Sequence, residues 1–307
     1  MLQLLLGGSG SGKTTLLYQR IRARAEKGEK SILLVPEQFT SSTEGRIYRE
    51  LGDALSGMVE SFSFTSLAEK ILSTEGGAAV QTLSDAGRAV LVRRALEELQ
   101  DNVHYYHRHR RSAAFCQMAA QTIDELKSAG LSGQQLAQLA GACGAESGKL
   151  SELALIFQGY ETLLARSGMD PSDRLELAGA RLEEALARHS LPEFLRDRAV
   201  FIDEFDTFNA PKKRLLGAML AALPSVTVAL CDDGAPLLPG DLSLFSGAKQ
   251  VAAQLRQLAR KNGAEVAVPQ LLRKDLRHRN APGLAAVAEL LETGSCTADA
   301  PAGEVRL

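Results

Sequence analysis

The sequence contains no tryptophan, and aromatic residues make up only 5% of its 307 positions. A binding face built from rows of stacked rings is therefore not what this chain is made for. Charge of one sign is missing as well: 35 Lys and Arg stand against 37 Asp and Glu, a formal net charge of −2. No global basic field advertises nucleic acid, so any DNA contact must rest on local patches. No apolar run is long enough to span a bilayer, and the expectation is a chain with no membrane partner. The opening LQLLLGG is too short for a signal peptide, lacks a basic start and runs straight into a glycine-rich loop. Cysteine is sparse. Cys116, Cys143, Cys231 and Cys296 lie far apart with no metal-ligand spacing, which fits a reducing, cytoplasmic compartment.

What is present is a change of texture along the chain. Leu2 to Leu6, Ser31 to Val35 and Met58 to Phe62 are short apolar runs that read as strands. A helix is expected over Thr14 to Lys27, and another over SLAEKIL, capped by Thr65. Strand texture returns at Ala199 to Ile202 and Val226 to Leu230, and weakly at Glu265 to Val268, with a helix over Lys212 to Leu223. Strands alternating with helices predict an α/β fold with a parallel sheet. Between about Ser84 and His189 apolar residues recur every three to four positions instead, as in Leu150, Leu153, Ile156, Phe157, Tyr160, Leu163 and Leu164. The expected division is a sheet domain over 1–83 and 190–292 and an inserted helical subdomain over 84–189. Residues 293–307 read as a linker in which GEVRL starts a strand, as if the chain were a piece of a longer one.

The strongest chemical signal lies between the first strand and the first helix. Gly7, Gly8, Ser9, Gly10, Ser11, Gly12, Lys13, Thr14 and Thr15 match the P-loop pattern G-x4-G-K-[ST]. The glycines let successive backbone N–H groups approach phosphate oxygens, and the helix start adds its positive dipole end. Lys13 supplies a point charge to the β- and γ-phosphates, and Thr14 a hydroxyl for magnesium. A flexible Gly/Ser linker is the bland reading; the strand before and helix after argue against it. The motif specifies a nucleoside triphosphate and leaves the reaction open.

Asp203 and Glu204 follow the run AVFI. An Asp at the carboxyl end of a buried strand is placed to hold magnesium through water, and the Glu beside it to polarise an attacking water. A plain acidic loop is the alternative. Cys231-Asp232-Asp233-Gly234 ends the next strand, where a sensor loop and an ordinary turn are both open readings. Weaker candidates are hydroxyl and basic clusters. Thr40 and Ser41, with Ser42, just before an expected helix over EGRIYREL, and Ser63 and Thr65, with Ser61 and Ser66, suit DNA phosphates or helix caps equally. His104 to Arg111 is a basic-aromatic patch in which Arg108 and Arg110 are strand-binding candidates; a solvated helix end is the main other reading, and a metal site on His104, His107 and His109 the weakest, since no acidic or Cys partner is near. Arg273 to Arg279 (RKDLRHR) reads as a solvated face.

In order and spacing, LLGGSGSGKTTLL, SILLVPEQFTSSTE, VESFSFTSLAEKIL and FIDEFDTFNAPKKRLL resemble the N-terminal part of the B-subunit family of ATP-dependent helicase/deoxyribonucleases (AddB, also RexB), related to superfamily 1 helicases. The resemblance implies a RecA-like P-loop NTPase sheet whose helical insertion is a 1B-like subdomain. It implies ATP and Mg²⁺ as ligands, with Lys13 and Glu204 catalytic. It also implies a heterodimer with a helicase/nuclease A subunit, acting on single- and double-stranded DNA to process double-strand breaks for recombinational repair. The family's iron–sulfur cluster and nuclease would lie outside this segment, because the four cysteines do not match the cluster. The arginine fingers of a second motor domain are missing, so slow hydrolysis is expected of the chain alone. A P-loop kinase and a non-catalytic nucleotide-binding scaffold remain the other readings.

Overall fold

The computed structural model describes residues 1–79, 81–144 and 147–293. The tail from 294, with Cys296 and the GEVRL segment, lies outside the described residues. In chain order the elements begin β1 (Leu2–Gly7), α1 (Lys13–Ala25), β2 (Ser31–Leu34), α2 (Thr40–Leu51), α3 (Asp53–Ser56), β3 (Val59–Phe62) and α4 (Phe64–Glu75). Among the described residues five helices follow without a strand: α5 (Asp85–Glu98), α6 (Ala113–Ser128), α7 (Gly133–Ala140), α8 (Ser147–Ser167) and α9 (Pro171–Ala187). The alternation then resumes with β4 (Ala199–Ile202), α10 (Ala210–Ala222), β5 (Ser225–Cys231), α11 (Ser246–Lys261), β6 (Gln270–Leu272) and α12 (Pro282–Thr293).

The strands form one sheet in the order β3-β2-β4-β5-β1-β6, and every pair is parallel. Each parallel pair needs a crossover, and the helices supply it. All four residues of β2 and of β4 are buried, as expected for strands covered on both faces. The register sets Gly7 beside Cys231 and Leu272, and Ile202 beside Leu34 and Val228. The carboxyl ends of β1, β5 and β4 therefore lie side by side.

The chain divides into two compact units. The first holds Met1–Leu67, Ala185–Phe208 and the chain from Leu216, and contains the sheet. The second holds Ala68–Glu184 and Asn209–Leu215. Its core gathers one face of each of α5, α6 and α8: Val92 and Leu96, Ile123, and Ile156, Phe157 and Tyr160. The sequence stripe on α8 is that face.

Three local expectations need correction. Thr65 is not the cap of α4: it is exposed inside the helix. Ser63 caps instead, its Oγ accepting from the Ser66 N–H at 3.1 Å while the Ser66 Oγ accepts from the Ser63 N–H at 2.8 Å. Glu265 to Val268 contributes only a bridge from Val266 to Leu2, and the strand itself is β6. Pro269 separates the two pieces and has no N–H to give a ladder. Finally, α2 starts at Thr40, so Thr40, Ser41 and Ser42 form its first turn rather than preceding it.

Candidate functional site

Between the end of β1 and the start of α1 the chain has only residues 8–12 in which to turn. Gly12, just before α1, has φ 88° and ψ 17°, a left-handed conformation that only glycine adopts without strain. Gly7 is needed for space: a Cβ there would lie 2.6 Å from the Leu272 carbonyl oxygen and would also collide with the Ser11 hydroxyl. The first turn of α1 carries no acidic residue and no side-chain cap, which leaves its N-terminal amides to attract an anion. Lys13 Nζ donates to the carbonyls of Gly7 and Gly8, each at 2.8 Å. Ser11 Oγ is buried and has no hydrogen-bond partner among the described residues.

The acidic half arrives on β4. Asp203 is only 6% exposed, and its N–H extends the ladder to the Leu34 carbonyl at 3.1 Å. Its carboxylate accepts from the Glu204 N–H at 3.1 Å, and the Thr14 hydroxyl lies beside it. Burial pushes this carboxyl above the ordinary range, and the Glu204 charge adds to the rise, while the Thr14 hydroxyl and Lys13 act against it. Glu204 itself is exposed and has φ 64°, a conformation that costs a non-glycine residue about 1–3 kcal/mol and concentrates at functional sites. The next segment is pinned by aromatic contacts: Phe64 lies 5.2 Å from Phe205 and 6.1 Å from Phe208, centroid to centroid.

Lys13 and Asp203 face one cavity of about 490 Å³, lined by residues 9–15, Glu204, Cys231, Arg46 and Arg277. Gly7 and Gly8 do not line it: their carbonyls hold Lys13, and they line a neighbouring cavity of about 570 Å³. The seven loop residues 9–15, Asp203 and Glu204 are thus brought together. Thr14 and Asp203 present adjacent oxygens, the donor type a hard cation takes, and magnesium retains most of its waters, so two protein groups suffice. Among the described residues, no group of three or more His, Cys, Asp or Glu is placed to hold a metal.

Arg46 and Arg277 escaped the sequence reading. The basic run around Arg277 is not a free solvated face: the Leu276 N–H donates to the Gly10 carbonyl at 3.0 Å, and Arg277 Nη1 donates to Ser9 Oγ at 2.9 Å. Asp275 shapes this loop by accepting from the backbone of Arg277 and His278. The CDDG segment is a turn, in which Asp232 and Asp233 accept from the N–H of Gly234 and Ala235.

The remaining candidates do not join this cavity. Thr40 is half-buried and Ser41 exposed in the first turn of α2. Thr65 is exposed, whereas the Ser63 side chain is 5% exposed and committed to capping. Arg108 and Arg110 belong to the helical unit, in a loop with one 3-10 turn rather than at a helix end. That loop is anchored from beneath: the buried Glu152 carboxylate accepts from the N–H groups of His104, Tyr105 and Tyr106 at 2.7–3.2 Å.

Residues 4–288 match the family described as ADDB, N-terminal. The chain belongs to this family. Relatives of the AddB N-terminal segment include the ATP-dependent helicase/deoxyribonuclease B subunit of Desulforudis audaxviator (strain MP104C), 34% identical over 92% of this chain and 25% of the relative. The proteins of the same name from Moorella thermoacetica (strain ATCC 39073 / JCM 9320) and Clostridium perfringens (strain 13 / Type A) are 33% and 29% identical, over 92% and 91% of this chain. The chain spans about a quarter of the length of these relatives. No helix among the described residues is long and apolar enough to cross a membrane.

Proposed function

We propose that this chain is the ATP-binding, helicase-like segment of one component of a DNA-repair helicase/nuclease. In this reading the sheet unit is a RecA-like P-loop NTPase domain. The observation that carries it is the meeting of Lys13, the loop amides, Thr14 and Asp203 around one cavity, although nearly the whole helical unit separates Asp203 from the loop in sequence. The loop N–H groups and Lys13 bind the phosphates. Lys13 must first leave the Gly7 and Gly8 carbonyls, so the loop adjusts on binding. Thr14 and Asp203 would hold Mg²⁺, which neutralises phosphate charge when bound. Glu204, exposed to the cavity, orients water. The partner is a helicase/nuclease A subunit, the substrate DNA, and the compartment the cytoplasm, by extension from the relatives' name and the family resemblance.

Calorimetric titration of the chain with Mg·ATP tests this directly. Saturable heat that Lys13→Ala removes is the expected result; a flat titration of the wild type would end the proposal. Steady hydrolysis should stay slow, because an arginine from a second motor domain is worth about 10³–10⁵ in rate. DNA-stimulated turnover by this chain at the rate of a complete motor would contradict that. If nucleotide binds but Lys13 substitution leaves unwinding by the complete complex unchanged, the scaffold reading takes over. ATP consumption that requires a small acceptor would favour a kinase.

The Arg108/Arg110 loop is the proposed single-strand contact in the helical unit. Reversing both charges should weaken binding to single-stranded DNA and reduce the slope of log affinity against log salt by about 1–2. An unchanged slope removes the loop from the DNA path.

A further inference from the structure

Arg46 stands apart from the other cations near the cavity. It is half-buried on α2, and its guanidinium lies 4.9 Å from the centroid of the Tyr18 ring on α1. Among the described residues it forms no ion pair with a carboxylate, although Asp203 and Glu204 line the same cavity. It borders both the 490 Å³ cavity and a second cavity of about 260 Å³, and Thr14, Asp203 and Glu204 border both with it. Arg49, one turn further along α2, lines only the smaller cavity, and its Nε donates to the Gly45 carbonyl at 3.3 Å. The ring face thus holds one guanidinium in place without using up its N–H donors.

We propose that Arg46 contacts the terminal phosphate of the bound nucleotide, so that this chain itself supplies an arginine for telling triphosphate from diphosphate. The inference rests on the nucleotide reading given above. The loop amides and Lys13 occupy one side of the cavity. Arg46 stands with Thr14, Asp203 and Glu204, the residues that border both cavities and that the nucleotide reading assigns to the metal and the attacking water, so the phosphate next to them in that reading is the terminal one. A planar guanidinium matches two phosphate oxygens at once, which an ammonium cannot do.

The test is calorimetric titration of the whole 307-residue chain with Mg·ATP and, separately, with Mg·ADP, for wild type, Arg46→Ala and Arg46→Lys. Arg46→Ala should weaken Mg·ATP by about tenfold or more and leave Mg·ADP within about twofold. Arg46→Lys should recover part of the loss, because the charge returns without the fork. Alanine is a good helix former, and retained ADP affinity itself shows that the loop is intact. Equal weakening of both nucleotides, or no change in either, overturns the assignment. If the wild type takes up neither nucleotide, the underlying nucleotide reading fails and Arg46 falls with it, an outcome visible before any variant is made.

Discussion

Asp170→Ala should unfold the helical unit at temperatures where the wild type is intact. Asp170 is fully buried and sits at the centre of a charged network. It accepts from the Tyr160 hydroxyl at 2.5 Å and from Lys127 Nζ at 2.7 Å, and Arg88 Nε lies 3.5 Å away. Burial, reinforced by the Asp170 charge, pushes the Tyr160 hydroxyl far up, so it stays a donor at every physiological pH. Lys127 also pairs with Asp173 at 2.8 Å, and Arg88 with Asp124 at 3.4 Å. Truncating Asp170 leaves two cations and a phenol buried with too few acceptors. Breaking such a network from one side costs about 3–5 kcal/mol, a large part of a stability of about 5–15 kcal/mol. Asp170→Asn keeps an acceptor but no charge and should cost less. Urea denaturation followed by circular dichroism checks the order wild type, Asn, Ala. A shift for Ala no larger than that of an exposed substitution would show that the network is not what holds these helices.

The sheet was legible because its signal is local. AVFI and SILL are strands buried on both faces, and apart from Ser31 they are continuous apolar runs, as such positions favour. The turn between β1 and α1 was legible for the same reason: its glycines, Lys13 and Thr14 lie within eight residues, and the neighbouring strand and helix supply the context. Arg277 and Arg46 were not legible. RKDLRHR has the composition of a solvated face, and the bonds of Arg277 to Ser9, 268 residues away, and of Leu276 to Gly10 turn it into a cover for the glycine-rich loop. Arg46 looks like any helix-surface arginine until α2 packs beside α1 and Tyr18 takes up its guanidinium. Ser63 and Thr65 were confused because either hydroxyl could cap a helix starting nearby; the reciprocal bonds with Ser66 decide between them. Glu152 gave no signal at all, since one acidic residue in a long helix reads as solvent-facing, yet three backbone N–H groups of the basic loop converge on it.

Asp203→Asn should move stability and ligand affinity in opposite directions. Burial raises the Asp203 carboxyl, so the folded chain holds that proton more tightly than the unfolded chain, where the value is about 3.9. Between the unfolded and folded values the native state binds more protons, and stability therefore falls as pH rises through that window. Above it the ionised carboxylate is a standing cost of folding that asparagine does not carry, while the asparagine oxygen can still accept from the Glu204 N–H. Without ligand, the variant should melt higher than the wild type at about pH 8, and the gap should close toward about pH 4. With Mg·ATP the order reverses. A neutral amide is a poor partner for a hydrated dication, and affinity should drop by about 10–100-fold, while binding of ATP without magnesium is unchanged or improved because a negative charge has left the cavity. A purely structural Asp203 predicts the contrary pair: a lower melting temperature and an unaltered magnesium dependence. Scanning calorimetry at the two pH values, with and without Mg·ATP, separates the alternatives, because no single structural defect raises the melting point of the free chain while abolishing its stabilisation by the metal–nucleotide complex.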